Sequence, residues 1–271
     1  MSKGKSIGII SIKGGVGKTT TVINLAHSLS SDYGKKVLVV DANFSSPNIS
    51  LHLGNVDLKN TIHEVLNGKA KLNDAIYDHE FGFHVLPASL NSVNGNNFSS
   101  LKFKVQQLKK DYDFILLDSS PSLNNEMLAT IIASDELYVV STPDLPTLST
   151  TLMAVKLAKE KKMKINGMIL NKVRGKNYEL KPYDMERLSG VPLIGVVNEN
   201  VRVLEALSKV KPMIMLNPNS NVSLSYKKIA ARLAGISYTE PKLHHKVLGY
   251  LKDDFSNLAS HKFSKGLFYY K

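Results

Sequence analysis

The residues best suited to chemistry lie near the start of the chain, where Lys18 and Thr19 follow the glycine-rich stretch 11–17. Glycines in this stretch let the backbone turn tightly, so consecutive N–H groups can converge on phosphate oxygens. The Lys18 ammonium adds charge for the outer phosphates, and the Thr19 hydroxyl is placed to bind Mg²⁺. The pattern predicts a phosphate cradle formed by Gly14, Gly15, Val16, Gly17, Lys18, Thr19 and Thr20.

Such a cradle needs a strand before it and a helix after it. The apolar run 7–10 precedes the glycines, and residues 22–29 carry apolar side chains at helical spacing. A strand, a tight turn and a helix N-terminus are therefore predicted in the order that anion binding requires.

Strands and helices continue to alternate along the chain. Strand patterns occur at 37–40, 81–87, 112–118, 136–143, 165–173 and 191–197. Helical patterns occur at 61–68, 101–110, 124–133, 148–162, 200–209 and 224–233. This order predicts an α/β fold, a mostly parallel twisted sheet with helices on both faces, over residues 1–235. A C-terminal helical extension is predicted over residues 236–271.

Three polar side chains end predicted strands: Asp41, Asp118 and Asn171. In open α/β sheets, ligands bind at the carboxyl ends of the strands. These three residues are therefore candidate binding residues, although asparagine is also a common turn residue after a strand.

Composition limits the class of protein. The 271 residues are 43% hydrophobic, and no apolar run reaches the roughly 18 residues that a membrane span needs. The first strand follows Met1 too closely for a signal peptide, so we expect a cytosolic protein. A net charge of +12 favours anionic partners such as nucleotides, nucleic acids or acidic membranes. With no cysteine, disulfides and thiolate iron–sulfur ligation are excluded.

The cradle departs from the usual spacing. Ile12 stands where a glycine is expected, and Lys13 precedes the first glycine. The chain thereby resembles the deviant Walker A ATPases of the MinD/ParA family, whose pattern is Lys-Gly-Gly-x-Gly-Lys-(Ser/Thr)-(Ser/Thr), and is closest to the MinD-like members. The resemblance covers about residues 5–235. It implies that Lys13 reaches across an ATP-bridged homodimer to the partner's nucleotide.

The same resemblance gives roles to the strand ends. Asp41 matches the first acid of the family's switch I pattern Asp-x-Asp, and Asp118 matches its Walker B aspartate, so both would support Mg²⁺ with Thr19. Asn171 matches the residue that reads the adenine edge, which favours ATP over GTP. The segment 217–221 loosely resembles the loop forming the other adenine wall.

Asn43 occupies the second switch I position, where the family has an aspartate that orients the attacking water. An amide oxygen can still accept a hydrogen bond from water, but it carries no charge and takes up no proton. We therefore expect normal ATP binding and slower hydrolysis. The alternative is that another group positions the water. The candidate catalytic residues are Lys13, Lys18, Asp41 and Asn43.

Beyond residue 235, apolar side chains recur at helical spacing among charged ones, and residues 263–271 are aromatic and basic. MinD-like proteins end in a short amphipathic helix that lies on the membrane, so the resemblance implies an anionic membrane surface as partner of residues 240–271. Gly249 and the Asp253–Asp254 pair oppose this interpretation. The alternative is a helix packed on the protein's own body or on a partner.

The sequence thus indicates a MinD-like ATPase switch acting in cell division or spatial positioning, cytosolic or peripheral on the membrane. Missing cysteines exclude the nitrogenase-reductase, iron–sulfur-scaffold and nickel-insertion branches of the family. Two alternatives stay open: a ParA-like partition ATPase that binds DNA without sequence preference, and a nucleotide-sensing adaptor with little hydrolysis. Lysines near the end of the 148–162 helix either complement its dipole or contact DNA. The sequence does not identify a regulatory partner.

Overall fold

The computed structural model of the protein describes residues 4–54, 58–89 and 98–239. Its strands are β1 (Lys5–Ile10), β2 (Val37–Ala42), β3 (Tyr77–Asp78), β4 (His84–Leu86), β5 (Phe114–Ser119), β6 (Glu136–Ser141), β7 (Ile165–Val173) and β8 (Leu193–Asn198). Its α-helices are α1 (Lys18–Ser31), α2 (Ile49–Leu53), α3 (Ile62–Leu66), α4 (Leu101–Leu108), α5 (Asn125–Ala133), α6 (Leu145–Glu160), α7 (Pro182–Ser189), α8 (Val201–Ser208), α9 (Met213–Leu216) and α10 (Asn221–Ala234).

The strands form one sheet in the order β3-β4-β2-β5-β1-β6-β7-β8. Every neighbouring pair is parallel except β3 and β4. From β1 the chain fills one side of the sheet with β2 to β5 and then the other side with β6 to β8. The loop after β1 therefore emerges near the middle of the carboxyl edge, where open α/β sheets bind ligands. The predicted mostly parallel sheet is confirmed.

Helices cover both faces of this sheet. Alternate residues of β2 belong to different cores: Val37 and Val39 pack with α1 and α10, whereas Leu38 and Val40 pack with α3, α4 and α5. A third core joins α5, α6 and α7 to β6 and β7. Because side chains alternate across a strand, the first core lies on the face opposite the second. The predicted layered architecture is confirmed.

Helix α6 begins three residues earlier than the apolar pattern suggests. The Asp144 side chain accepts a hydrogen bond from the Thr147 backbone N–H at 2.9 Å, and Pro146 fits the first turn. The cap therefore sets the start of the helix.

Helix α7 was not predicted, because residues 174–184 are polar and basic. Only Met185 and Ser189 are buried in this helix, too few to give a clear helical period. Its boundaries do carry signals, since Pro182 stands in the first turn and Gly190 ends the helix with a φ of 66°.

The predicted amphipathic extension falls almost entirely in residues 240–271, which lie outside the described residues. Across the three described ranges, no helix combines the length and apolar character needed to cross a membrane.

Candidate functional site

The loop between β1 and α1 lines a cleft of about 620 Å³ at the carboxyl edge of the sheet. Gly15 and Gly17 have φ values of 75° and 94°, in the left-handed region that favours glycine. A Cβ atom at Gly17 would also clash with the Asn171 amide. Since Gly17 caps α1, the helix's first N–H groups face the cleft, which is the geometry that binds anions.

Lys18 and Thr19 open α1 at the bottom of this cleft. Lys18 is buried, and burial lowers the pKa of its ammonium although the charge of Asp118 opposes the shift. The Thr19 hydroxyl donates to Asp118 Oδ2 at 2.6 Å. The loop lysine, the loop hydroxyl and the strand carboxylate predicted from sequence are thus brought together.

Two buried carboxylates face each other on adjacent strands, because Asp41 of β2 and Asp118 of β5 are register partners. Burial and the charge of Asp118 raise the pKa of Asp41 to about 8, despite backbone N–H donors. Burial raises the pKa of Asp118 to about 6, although Thr19 and Lys18 lower it. In both carboxyls burial disfavours the charged form, an effect that a bound cation would oppose.

These residues fit a magnesium ion. Asp118 Oδ1 is buried and has no hydrogen-bond partner among the described residues. Thr19 and Asp118 supply the hard oxygen atoms that Mg²⁺ prefers, and Asp41 lies behind them. The described ranges contain no cluster of three or more histidine, cysteine or acidic ligands. A protein site with few ligands suits Mg²⁺, which keeps water and phosphate oxygens in its shell.

Asn43 lies against this carboxylate pair and lines the cleft. Its backbone N–H donates to Asp41 Oδ1 at 3.1 Å, and its Nδ2 donates to the Ser46 carbonyl. Its Oδ1 is buried, without a hydrogen-bond partner in the described part of the chain. The amide oxygen is therefore the free acceptor at this position.

Lys13 does not line the cleft, and its side chain is 40% exposed. Its Nζ donates to Asp144 Oδ1 at 3.1 Å and to Thr147 Oγ1 at 2.9 Å. Partial burial tends to raise the pKa of Asp144, but hydrogen bonds from Thr142, Thr147 and Lys13 lower it to about 2. Sequence reasoning missed Asp144 and Thr147 as partners of Lys13, although the cap that they form is a recognisable local pattern.

Two side chains at the end of β7 donate hydrogen bonds to the loop between β1 and α1. Asn171 Nδ2 donates to the Val16 carbonyl at 2.8 Å, and Lys172 Nζ donates to the Gly15 carbonyl at 2.7 Å. Asn171 also lines the cleft, as expected of a residue that hydrogen-bonds to the adenine edge. This role of Asn171 stays a prediction. Sequence reasoning missed Lys172, which follows Asn171 directly and has a φ of 56°.

The second base wall suggested by sequence, 217–221, does not line the cleft. Residues of the segment 198–204 line the cleft instead. Its Val201 and Leu204 side chains are 64% and 66% exposed and offer apolar surface to a planar group. Asn217 instead accepts a hydrogen bond from Arg202 Nη1 at 2.9 Å, which joins this loop to the segment 198–204.

A glycine loop at the central strand, a buried lysine and a hydroxyl–carboxylate pair define a P-loop nucleotide-binding protein. The chain matches the AAA domain family over residues 4–169. It is 34% identical to an uncharacterised ATP-binding protein of Methanocaldococcus jannaschii, over 97% of this chain and 96% of that protein.

Two solved structures are similar in fold and sequence. The septum site-determining protein MinD of Pyrococcus horikoshii, complexed with Mg-ADP, is 31% identical with a TM-score of 0.78, covering 84% of this chain and 95% of that one. The cell division ATPase MinD of Pyrococcus furiosus is 31% identical with a TM-score of 0.80, covering 86% and 100%. The chain therefore belongs to the MinD/ParA family of P-loop ATPases.

Proposed function

We propose that this protein is a MinD-like switch that binds ATP with Mg²⁺, forms a homodimer in that state and hydrolyses ATP slowly. The position of Lys13 carries the proposal. Lys18 is buried in the cradle, whereas the side chain of Lys13, directly before the loop glycines, is 40% exposed. We infer that Lys13, unlike Lys18, is free to reach a second subunit.

Nucleotide and metal are assigned from the site and from the relatives. The N–H groups of the loop and Lys18 would hold the β- and γ-phosphates, and Thr19 and Asp118 would hold Mg²⁺, which neutralises phosphate charge. The relative of Pyrococcus horikoshii was solved with Mg-ADP, and the relative of Methanocaldococcus jannaschii is named an ATP-binding protein. Both agree with this assignment.

Slow hydrolysis follows from the chemistry of Asn43. Its Oδ1 is buried and has no hydrogen-bond partner among the described residues. Once uncovered, this oxygen would accept a hydrogen bond from the attacking water and orient that water toward the γ-phosphate. An amide takes up no proton, so the water reaches the transition state without a general base at this position.

Lys13 must leave Asp144 and Thr147 to act on a second subunit. Both side chains of the ion pair are 40% exposed, and half-exposed pairs contribute only about 0–1 kcal/mol. The cost of releasing Lys13 is therefore small, and contacts with a partner's nucleotide would replace it.

The dimer is tested by light scattering of wild type and Lys13→Ala with Mg-ATP and with Mg-ADP. We expect wild type to dimerise with ATP alone and Lys13→Ala to stay monomeric while keeping its ATP affinity, because Lys18 and the loop are intact. Lys69→Ala removes an exposed lysine that does not line the cleft and is the matched control. A Lys13→Ala protein that dimerises like wild type would refute the proposal.

The surface on which the switch acts is proposed to be the membrane, reached from the cytosol through residues 240–271, in cell division or spatial positioning. One observation favours the DNA-binding alternative. The end of α6 and the turn after it carry exposed lysines: Lys156, Lys159, Lys161, Lys162 and Lys164. A cluster of this kind suits contacts with a phosphate backbone.

Parallel sedimentation with anionic liposomes and with DNA separates these two surfaces. On the membrane proposal, deleting residues 240–271 abolishes ATP-dependent liposome pelleting, and replacing Lys159, Lys161, Lys162 and Lys164 by alanine does not. On the DNA alternative, the lysine variant loses salt-sensitive, ATP-dependent retention on DNA. A stable ATP dimer with near-zero turnover would instead identify the nucleotide-sensing adaptor.

A further inference from the structure

Glu126 is a buried carboxylate that joins the two segments flanking the proposed magnesium site. It lies in the first turn of α5, is 6% exposed, and its Oε1 accepts a hydrogen bond from Ser45 Oγ at 2.6 Å. Its Oε2 is buried and has no hydrogen-bond partner within the described residues. Ser45 belongs to the switch I loop, residues 41–48, two positions after Asn43.

The same loop fixes the orientation of the Asn43 side chain. An asparagine amide has a donor end and an acceptor end, and only the acceptor can receive a proton of the attacking water in a hydrogen bond. Asn43 Nδ2 is held by the Ser46 carbonyl, so Oδ1 is the end of the amide left without a partner among the described residues. This atom is covered from solvent in this structure and must be uncovered before water can reach it. Flipping the amide would turn a donor toward the water. The position of Ser46 therefore decides whether Asn43 can accept a hydrogen bond from the water.

We propose that Glu126 is a positioning residue for ATP hydrolysis. By accepting from Ser45 it fixes the loop at Ser46, whose carbonyl holds the Asn43 nitrogen, and so it keeps the oxygen, not the nitrogen, as the end of the amide left to accept from water. The inference rests on the proposed hydrolysis at this site. It explains why an asparagine can serve where the family has an aspartate, since an aspartate needs no such orientation.

An acidic residue in a first helical turn also stabilises the helix through its dipole. That role requires neither burial nor a hydrogen bond to the switch I loop. The two roles therefore differ in what Ser45 contributes, and Ser45 is the better residue to change.

The test measures single-turnover and steady-state ATP hydrolysis together with thermal unfolding. Ser45→Ala removes only the hydroxyl, and we expect kcat to fall about ten- to a hundred-fold, as for loss of a hydrogen bond to a charged group. KM for ATP and thermal unfolding should stay as in wild type. Ser31→Ala, an exposed serine near the end of α1, is the matched control and should change nothing.

Variants of Glu126 check the acceptor. Glu126→Gln keeps an oxygen that accepts from Ser45 and should retain most of the activity, whereas Glu126→Leu should lose as much as Ser45→Ala. Because both act through one hydrogen bond, the double variant should lose no more than either single variant. Full additivity would overturn the inference.

The decisive measurement repeats Ser45→Ala in an Asn43→Asp background. An aspartate has no amide to orient, so the penalty of Ser45→Ala should largely disappear there. An equal penalty in both backgrounds, or wild-type kcat in Ser45→Ala, would refute the positioning role and leave the proposed function intact. No turnover in wild type under any condition would remove the proposed hydrolysis itself, and the inference with it.

Discussion

At the scale of single residues, Asn43 differs from Asp41 and Asp118 in charge. The two aspartates are buried side by side, and burial raises the pKa of both carboxyls, to about 8 and about 6. A third carboxylate at position 43 would add like-charge repulsion to this cluster before Mg-nucleotide binds. We therefore expect Asn43 to leave the nucleotide-free site more stable than an aspartate would, although it supplies no proton acceptor.

Asn43→Asp is expected to raise turnover and to lower the stability of the nucleotide-free protein. Turnover should rise by about 10²-fold, the lower end of what a positioned acid or base contributes. Melting temperature without nucleotide should fall, because repulsion among the carboxylates increases. A phosphate-release assay measures turnover, and a thermal scan measures the melting temperature. Asn73→Asp, at an exposed position, is the matched control. Unchanged turnover would mean that another group positions the water.

At the scale of elements, hydrogen bonds from the end of β7 hold the loop between β1 and α1 in place. Asn171 and Lys172 donate to the carbonyls of Val16 and Gly15, which have no strand or helix partner of their own. The loop is thus held in a shape that directs its N–H groups toward the cleft. A preorganised anion site loses less entropy on binding.

Gly17→Ala tests whether this shape matters. A left-handed φ costs a non-glycine residue about 1–2 kcal/mol, and a Cβ at Gly17 also clashes with Asn171. Gly34→Ala is the control, since Gly34 has a φ of 61° in an open turn with no atom near its Cβ position. Both variants should melt earlier, and only Gly17→Ala should lose ATP affinity in calorimetry. An equal ATP affinity in Gly17→Ala and Gly34→Ala would show that the loop accommodates a Cβ at position 17.

At the scale of the whole molecule, the two edges of the sheet have different tasks. At the amino edge, opposite the cleft, the buried Lys109 donates to Asp135 Oδ1 at 2.5 Å. Asp135 Oδ2 accepts from the Ser6 backbone and hydroxyl at 2.8 and 2.9 Å. These bonds connect the end of α4 with the starts of β1 and β6. The amino edge therefore stabilises the fold, and the carboxyl edge carries the proposed ligand site.

Asp135→Asn should destabilise the fold at pH 7 without changing ATP turnover. We expect a loss of about 1.5 kcal/mol, the low end for hydrogen bonds to a charged group, because Asp135 is 45% exposed. Partial burial tends to raise the pKa of Asp135, but bonds from Lys109 and Ser6 lower it overall. Denaturant unfolding measures the loss, with the exposed Asp74→Asn as control.

The pH dependence of this loss follows from the direction of the shift. A carboxyl with a depressed pKa stabilises the fold fully above its unfolded pKa of about 3.9 and loses that contribution as pH falls through the folded pKa. The difference between wild type and Asp135→Asn should therefore shrink below about pH 4. A difference that is constant from pH 7 to pH 3 would contradict the assigned ion pair.

The sequence by itself determined the parts of the site that depend on local order. The loop 11–20 is recognisable because consecutive residues form the cradle, and Asp41 and Asp118 because strand ends of a parallel sheet share one edge. Alternating apolar segments likewise predicted the sheet and its two helical layers.

Only the tertiary structure decided the contacts between distant residues. Lys13 meets Asp144 across 131 positions, and Ser45 meets Glu126 across 81. Residues of the segment 198–204 likewise line the cleft, whereas residues 217–221 do not. Sequence periodicity reports which side of an element is buried, whereas these contacts depend on how the ends of different elements pack together. The cradle is therefore visible in the sequence, and the side chains proposed to control it are visible only in the fold.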